Sequence, residues 1–263
     1  MRRAPRRSVL RVLSILATLL WVGLAVFTVV AIYYVAAGGV WACLSEPLFM
    51  ADYDKGRLKM MIGILVENQA IFDLMNVRAY GVITDTLGNV IGTNTTDFYY
   101  VGVGSELSFS LSFYLSMFKL AANPSTSYLM TQKARLAINM TLSMIYAYIF
   151  PTKAIVTIRA DWGPPLLGLR ARLMKGPSPS TTCVLVMFKN AAPFWFKGYL
   201  IAHLYSNWGL LAEEETYMLV HKGEEKAISI ILPISPDDLP EHYKLVLEFK
   251  TNMFYFTWGY EHG

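Results

Sequence analysis

The chain has 263 residues, of which 23 are Lys or Arg and 19 are Asp or Glu, so its formal net charge is +4. Five of the basic residues are arginines within the first 11 positions, and the residues that follow carry 18 basic and 19 acidic side chains, a net charge of −1. A nucleic-acid-binding surface needs Lys and Arg clustered on one face of the folded protein. The composition therefore argues against a nucleic-acid partner.

The first element along the chain is an uncharged apolar segment, residues 12–45, that follows the arginines. A helix rises about 1.5 Å per residue and needs about 20 apolar residues to cross a bilayer, so residues 12–37 are long enough to span it. Positive residues that flank a first span stay in the cytoplasm. We therefore expect a cytoplasmic basic segment at residues 1–11, a single transmembrane helix with its boundary at residues 12–45, and the C-terminal domains outside the cell membrane.

Four kinds of processed N-terminus are alternatives to a retained anchor. A cleaved secretory signal also begins with basic residues, but its apolar core is usually about 7–15 residues. Arg6 and Arg7 resemble a twin-arginine export signal, and Cys43 lies in a segment that faintly resembles a lipoprotein cleavage box. Arg7 before an apolar helix is similar to archaeal pilin precursors, although Arg11 would then fall inside the assembly helix. The length of the apolar run favours the retained anchor.

After the anchor, the pattern is typical of β-strands throughout. Residues 58–66 and 136–144 alternate in the period of strands with one solvated face. Gly-containing turn signals separate such segments at short intervals, which indicates antiparallel sandwiches. Three further apolar segments are too short for a second span or carry charge, namely residues 107–122, 136–150 and 194–211.

A stretch rich in Gly, Ser and Pro at residues 174–181 interrupts the strand pattern. Because prolines do not easily continue a central strand, we expect a linker there. The sequence then predicts a first β-sandwich at residues 46–173, with a helical insertion near residues 114–134, and a second β-sandwich at residues 182–263.

The two halves resemble each other in sequence. Each begins with an apolar strand that leads into Asn-x-x-x-Phe, formed by Asn68 and Phe72 in the first half and by Asn190 and Phe194 in the second. Glycines follow in the same order, Gly88 and Gly104 in the first half and Gly209 and Gly223 in the second. A preserved order of this kind predicts two tandem copies of one module.

The second half resembles the late embryogenesis abundant domain in the order of its elements. These are a strand that ends in Asn190, Pro193 and Phe194, a hairpin near Gly209, a regular strand, a helical segment and a final strand. This is the desiccation-related type, also called the water-stress and hypersensitive-response domain. Archaeal membrane-anchored proteins with tandem copies are similar to the chain over residues 55–263. The resemblance implies antiparallel immunoglobulin-like or fibronectin-like sandwiches with one helix, usually not enzymatic. In lysosomal proteins with similar domains, a cleft between sheet and helix has been suggested to hold lipid.

The sequence offers no recognisable catalytic constellation. Its four histidines have no metal-like partner at helical or strand spacing, and no Gly-x-Ser-x-Gly elbow, phosphate-binding loop or His-Glu-x-x-His motif occurs. The acidic run at residues 213–215 is typical of a solvated turn, because a Ca²⁺ site needs more converging oxygen ligands. We therefore predict a non-enzymatic protein with no catalytic residue, cofactor or metal.

Two sequons, at Asn94 and Asn139, are candidates for glycosylation on the outer side. We expect Asn94 in a loop and Asn139 on the polar face of a strand. Asn94 is therefore the better candidate for glycosylation. The two cysteines, Cys43 and Cys183, have no spacing that links them. We expect both thiols to be free, with one disulfide in an oxidising exterior as the alternative.

Two functions of different classes fit these features. In the first, a surface-anchored protein uses its tandem sandwiches as structural or interaction modules that hold envelope proteins near the membrane. In the second, the outer domains bind lipid or another apolar ligand, and Phe194, Trp195, Phe196 and Tyr199 line a cleft or lie in the headgroup layer. Core packing explains these aromatic residues equally well. A pilin-like filament subunit is a third hypothesis.

Overall fold

The computed structural model describes residues 5–262, and their side chains from residue 13 onward. It confirms an all-β protein on one N-terminal helix. Helix α1 (Pro5–Ala36) contains the 24-residue segment Leu13–Ala36, which is long and apolar enough to cross a membrane. The helix ends before Gly38, whose φ of +80° suits glycine. The side chains of the expected basic segment, residues 1–11, lie outside the described part of the chain.

Sixteen strands follow the helix within the described residues, and all their pairings are antiparallel. They are β1 (Val40–Leu44), β2 (Leu48–Asp52), β3 (Arg57–Asn68), β4 (Leu74–Thr84), β5 (Val90–Thr95), β6 (Tyr99–Val101), β7 (Ser105–Ser116), β8 (Ala134–Tyr146), β9 (Phe150–Trp162), β10 (Leu167–Lys175), β11 (Thr182–Lys189), β12 (Phe196–Ser206), β13 (Gly209–Val220), β14 (Glu225–Leu232), β15 (Tyr243–Thr251) and β16 (Tyr255–His262). Helix α2 (Met117–Ala122) and a 3-10 turn (Ser127–Met130) lie between β7 and β8, within the segment where the sequence predicts a helical insertion.

The first sandwich is built from two sheets. In one, β3 is central, with β7 on one side and with β1 and β2 in succession on the other. In the other, the order is β5-β4-β8-β9, and β6 extends the edge formed by β5. Strand β3 alternates along its length, and its core-facing side chains, Leu58, Met60, Ile62, Ile64 and Val66, are buried. This alternation confirms the strand predicted at residues 58–66.

The second sandwich is built from sheets with the orders β10-β11-β14 and β13-β12-β15-β16. This order matches that of the first sandwich strand by strand. Strands β11, β14, β12, β13, β15 and β16 take the places of β3, β7, β4, β5, β8 and β9, and β10 takes the place of β1 and β2. The two units therefore have the same topology.

Two boundaries differ from those expected. Strand β1 pairs with β3, so residues 40–44 belong to the first sandwich rather than to the membrane boundary. Strand β10 pairs with β11, with Leu173 opposite Val184, so the second sandwich begins before residue 174. The expected linker at residues 174–181 is instead the hairpin turn that joins these two strands. Gly and Pro end strands at tight turns as well as at linkers, and composition alone did not separate the two cases.

A buried asparagine closes one end of the first sandwich. Asn68 lies at the end of β3 and is fully buried. Its Nδ2 donates to the carbonyls of Phe72 (2.9 Å) and Val101 (3.2 Å), and its Oδ1 accepts from the N–H of Ala70 (3.2 Å). The side chain thus ties the β3–β4 loop to the β6–β7 turn.

Asn190 has the same role in the second sandwich. It directly follows β11 and is also fully buried. Its Nδ2 donates to the carbonyls of Phe194 (2.8 Å) and His221 (3.1 Å), and its Oδ1 accepts from the N–H of Ala192 (3.1 Å). The amide thereby satisfies buried backbone groups that no strand partner reaches.

We expect Asn190→Ala to lower the free energy of unfolding of the full chain by about 2–4 kcal/mol, because it leaves several buried backbone groups without partners. Chemical denaturation of the protein in detergent would measure this loss. Asn139→Ala, at an exposed site on β8, is the matched control and should change stability by less than about 1 kcal/mol. Equal losses in both variants would contradict the role assigned to Asn190.

Candidate functional site

The end of the second sandwich that Asn190 closes lies against the first sandwich, at the end away from α1. The ring of Tyr53, in the β2–β3 turn, stacks on Trp195 with centroids 4.2 Å apart. Gly56, in the same β2–β3 turn, lies close to the β15–β16 turn of the second sandwich. A Cβ atom added to Gly56 would be 3.2 Å from the carbonyl oxygen of Met253 in that turn. The two units therefore meet head to tail.

The connection between the sandwiches, residues 163–166, is held from both sides. Leu166 donates its N–H to the carbonyl of Met130 in the first sandwich (2.9 Å), and the carbonyl of Pro164 accepts from Ala191 of the second (3.0 Å). Gly163 lies so close to the second sandwich that a Cβ there would be 2.0 Å from the carbonyl oxygen of Ala191. Only glycine fits this approach, which makes the connection a fixed spacer rather than a flexible tether.

The helical insertion supports this junction from the first sandwich. The indole Nε1 of Trp162, the last residue of β9, donates to the carbonyl of Leu129 (2.7 Å) in a buried contact. The ring of Phe118 on α2 lies against Gly56, where a Cβ would approach its Cε2 to 2.1 Å. Since α2 also contacts β16, the insertion lies between the two units and touches both.

An open groove of about 520 Å³ runs between the insertion and β16. Its apolar lining comes from Ala121, Pro124 and Tyr128 on one side and from Tyr255 and Phe256 on the other. The groove is the feature closest to the cleft between sheet and helix that the family resemblance implies.

The four aromatic residues predicted to form an apolar site do not meet in one place. Phe194 and Phe196 are buried in the core of the second sandwich, where Phe196 packs on Phe254 with centroids 5.1 Å apart. Trp195 lies in the junction against Tyr53. Only Tyr199 is exposed on a face of the sheet. Core packing therefore accounts for two of the four.

Tyr199 belongs to a row that crosses the outer face of the β13-β12-β15-β16 sheet. In register it lies opposite Tyr217 on β13 and Lys250 on β15, and Lys250 lies opposite Tyr255 on β16. The rings of Tyr199 and Tyr217 contact edge to face, with centroids 5.7 Å apart. We call Tyr217, Tyr199, Lys250 and Tyr255 the tyrosine row. All four side chains are exposed.

A charged network lies beside the tyrosine row on the same face. The imidazole Nδ1 of His203 is 3.0 Å from Glu213 Oε2, and its Nε2 is 3.3 Å from Glu248 Oε2. Glu248 also pairs with Lys250 of the tyrosine row, at 3.2 Å. The side chains of His203 and Glu248 are only 15% and 13% exposed, so the network is fixed in position. Among the described residues, no group of three His, Cys, Asp or Glu side chains could hold a metal ion.

The sequence does not reveal the partners of His203, because Glu213 and Glu248 come from two other strands, β13 and β15. A simple count from the hairpin turn, where Ser206 lies opposite Gly209, pairs His203 with Ala212 instead of Glu213. A bulge between Leu204 and Tyr205 shifts the register by one residue. The same shift brings the tyrosines into one row. The alternation of β12 and β13 predicts the exposed face, but only the bulge selects which residues pair.

One of the two sequons differs from its expected setting. Asn94 lies in β5 rather than in a loop, and its Nδ2 donates to the carbonyl of Ser112 on β7. Asn139 is exposed on β8, and its Oδ1 accepts from Thr157 (2.8 Å), which leaves the amide nitrogen outward. In the folded protein, Asn139 is therefore the more accessible of the two. Both cysteines are unbonded, Cys43 exposed and Cys183 buried.

No protein-family model matches the chain, and no curated protein matches it in sequence. Solved structures resemble it in part. The match with a putative ApaA protein from Bordetella pertussis covers 48% of this chain and 94% of the ApaA chain, at 10% identity and with a TM-score of 0.32. A red sea bream transglutaminase covers 86% of this chain and 32% of its own at 12% identity, with a TM-score of 0.30. The match with a calcium-binding mutant of Bacteroides uniformis β-glucuronidase 2 covers 76% of this chain and 26% of the glucuronidase chain, at 11% identity and with a TM-score of 0.28. Similarity at this level says nothing about the activity of this chain.

We expect Gly163→Ala to loosen the junction, because the added methyl group collides with the carbonyl of Ala191. Spin labels at positions 87 and 208, one on each sandwich, should give a narrow distance distribution in the parent protein and a broader or shifted one in the variant. Gly259→Ala is the control, since its Cβ would meet nothing closer than Lys244 Cε at 3.8 Å. A broad distribution in the parent protein would show that the junction is flexible.

Proposed function

We propose that the protein is a non-enzymatic, single-pass surface protein of the cell envelope, whose two sandwiches form a rigid stalk that presents an interaction face to other envelope proteins. The apolar helix supports the anchor. The arginines before it favour a cytoplasmic N-terminus, with the sandwiches outside. The fixed connection at residues 163–166 supports a stalk rather than two independently mobile domains.

The tyrosine row is the feature of the structure that most supports an interaction role. Outward positions of a solvated sheet are usually polar, whereas here three tyrosines and a lysine cross four neighbouring strands. Tyrosine combines a large apolar ring with a hydroxyl, loses little conformational entropy on binding and is enriched at the centres of protein interfaces. The neighbouring network around His203 holds the surface in one arrangement before a partner arrives. Such preorganisation lowers the cost of binding.

We further propose that the two sandwiches are copies of one module of the late embryogenesis abundant type. Their matching strand order and the equivalent hydrogen bonds of Asn68 and Asn190 support a tandem repeat. The position of α2 beside the junction is consistent with the single helix of that family.

Binding of an apolar ligand, such as lipid, is a second candidate function, favoured by the groove between α2 and β16. The groove has an apolar lining that includes Tyr128 and Phe256. Native mass spectrometry of the protein released gently from its own membranes would test this function. A bound lipid that persists in the parent and is lost on Ala121→Trp, which fills the groove, would support it.

We expect a photo-crosslinking amino acid at position 217 to form a discrete protein adduct in native membranes, because that residue lies in the tyrosine row. The matched control is position 114 on the first sandwich, since Tyr217 and Tyr114 are 57% and 56% exposed. The adduct should disappear when Tyr199→Ala is added. Adducts of equal yield at both positions, or none at position 217, would contradict the proposed interaction face.

A further inference from the structure

The end of the first sandwich that lies beside α1 exposes an apolar surface. It is formed by the β3–β4 loop, the turn before β7 and the β8–β9 turn. We call its exposed apolar members, Ile71, Val103, Tyr148 and Ile149, the collar. A carboxylate ties these three segments together, since Asp73 accepts from the N–H of Val103 (3.0 Å) and from the hydroxyl of Tyr148 (3.1 Å).

The same end of the second sandwich is covered by a neighbour. The β8–β9 and β15–β16 turns each contain three residues, so Tyr148 and Ile149 correspond to Met253 and Phe254. Met253 and Phe254 are 0% exposed, whereas Tyr148 and Ile149 are 62% and 54% exposed. The second copy of this end rests on the first sandwich, as the contact of Met253 with Gly56 shows. In the first sandwich, the side chains of Tyr148 and Ile149 are left uncovered within the described residues.

The last turns of α1 pack directly on the collar end. The ring of Phe27 contacts Phe72 at 4.9 Å and Phe150 at 6.1 Å, measured between centroids. Ala31, one turn further along, is 1% exposed. Gln69 donates its N–H to the carbonyl of Gly39 (2.7 Å) just beyond the helix. The sandwich is therefore attached along the side of the helix, not at its tip.

This side attachment sets the depth of the collar. A hydrocarbon core of about 30 Å corresponds to about 20 helical residues. Counted from residue 12, the first after the arginines, that length ends near residue 31. Phe27 then lies roughly 6 Å inside the edge of the hydrocarbon, and helix tilt would place it deeper. Ile71 and Ile149 of the collar are the chain neighbours of Phe72 and Phe150, so the contacts with Phe27 bring the collar to the edge of the hydrocarbon and the headgroup layer beside it.

Raising the helix to free the collar from lipid is unfavourable. If the span ended before Phe27, residues 7–11 would have to enter the hydrocarbon to make up its length. That segment contains Arg7 and Arg11, and charged side chains at such depth are strongly disfavoured. The positions of the arginines and of Phe27 together leave the collar at the membrane surface.

We infer that the collar lies in the headgroup layer of the bilayer that α1 crosses, so that the first sandwich rests on the lipid surface. This inference rests on the membrane anchoring proposed above. Aromatic and aliphatic side chains with one polar end suit this layer, and the hydroxyl of Tyr148 keeps its protein partner there. Ala147 and Tyr148 have φ values of 50° and 66°, so the turn is left-handed, and it leaves Tyr148 and Ile149 exposed while Ala147 is buried. Hydrogen bonds from Tyr100, Val103 and Tyr148 hold the pKa of Asp73 below its usual value, so the tie stays ionised.

The test uses the full chain in phosphatidylcholine vesicles, with Cys43→Ser as the background because Cys183 is buried. Spin labels are placed singly at Ile149→Cys in the collar, at Leu87→Cys at the opposite end of the same sandwich, and at Leu20→Cys in the middle of α1. Each of these three side chains is exposed. Collision rates with oxygen, which enters lipid, and with a polar nickel chelate, which does not, are measured for each label.

We expect the oxygen-to-nickel ratio at position 149 to exceed that at position 87 several-fold and to fall between the ratios at positions 87 and 20, as a headgroup location requires. A label at position 149 as open to nickel as the label at position 87, with position 20 in lipid, overturns the inference and leaves the anchor intact. A label at position 20 open to nickel shows that the anchor itself fails. A label at position 149 shielded from both reagents shows that protein covers the collar, which also overturns the inference. Circular dichroism of each labelled protein confirms that it is folded.

Discussion

The arrangement of this protein depends on how one buried asparagine fixes one end of each sandwich. The buried amides of Asn68 and Asn190 bind the backbone of the segments that meet at this end. A buried amide with several backbone partners holds these segments in one arrangement. It is this end of each sandwich that contacts the preceding element of the chain, α1 in one case and the first sandwich in the other.

Head-to-tail contact follows from this constraint. In the second sandwich, this end carries Trp195 and Met253, which lie on Tyr53 and Gly56 of the first. In the first sandwich, the equivalent end carries Phe72 and Phe150, which lie on Phe27 of α1. Each sandwich therefore meets the preceding part of the chain through the same end, and the turn residues at that end differ according to what they face. Met253 and Phe254 are buried against protein, whereas Tyr148 and Ile149 remain exposed beside the helix.

The sequence was sufficient for the features that depend on local pattern. The uncharged run predicted α1, the alternation at residues 58–66 predicted β3, and the spacing of Asn to Phe located the equivalent loops of both halves. Prediction from the sequence failed where one local signal is compatible with two different structures. Gly and Pro at residues 174–181 mark a hairpin as readily as a linker, so β10 was assigned to the wrong sandwich. It failed again where a bulge sets the register, and for that reason the partners of His203 could not be predicted.

We propose that the two sandwiches form a rigid stalk that rests directly on the membrane. Neutron reflectometry of the full chain in a supported bilayer would test this arrangement, because it resolves protein, lipid and water along the membrane normal. We expect protein density that begins in the headgroup layer and ends sharply at the far side of the second sandwich. A water-filled gap between the headgroups and the first sandwich, or a density that fades gradually with distance, would contradict it.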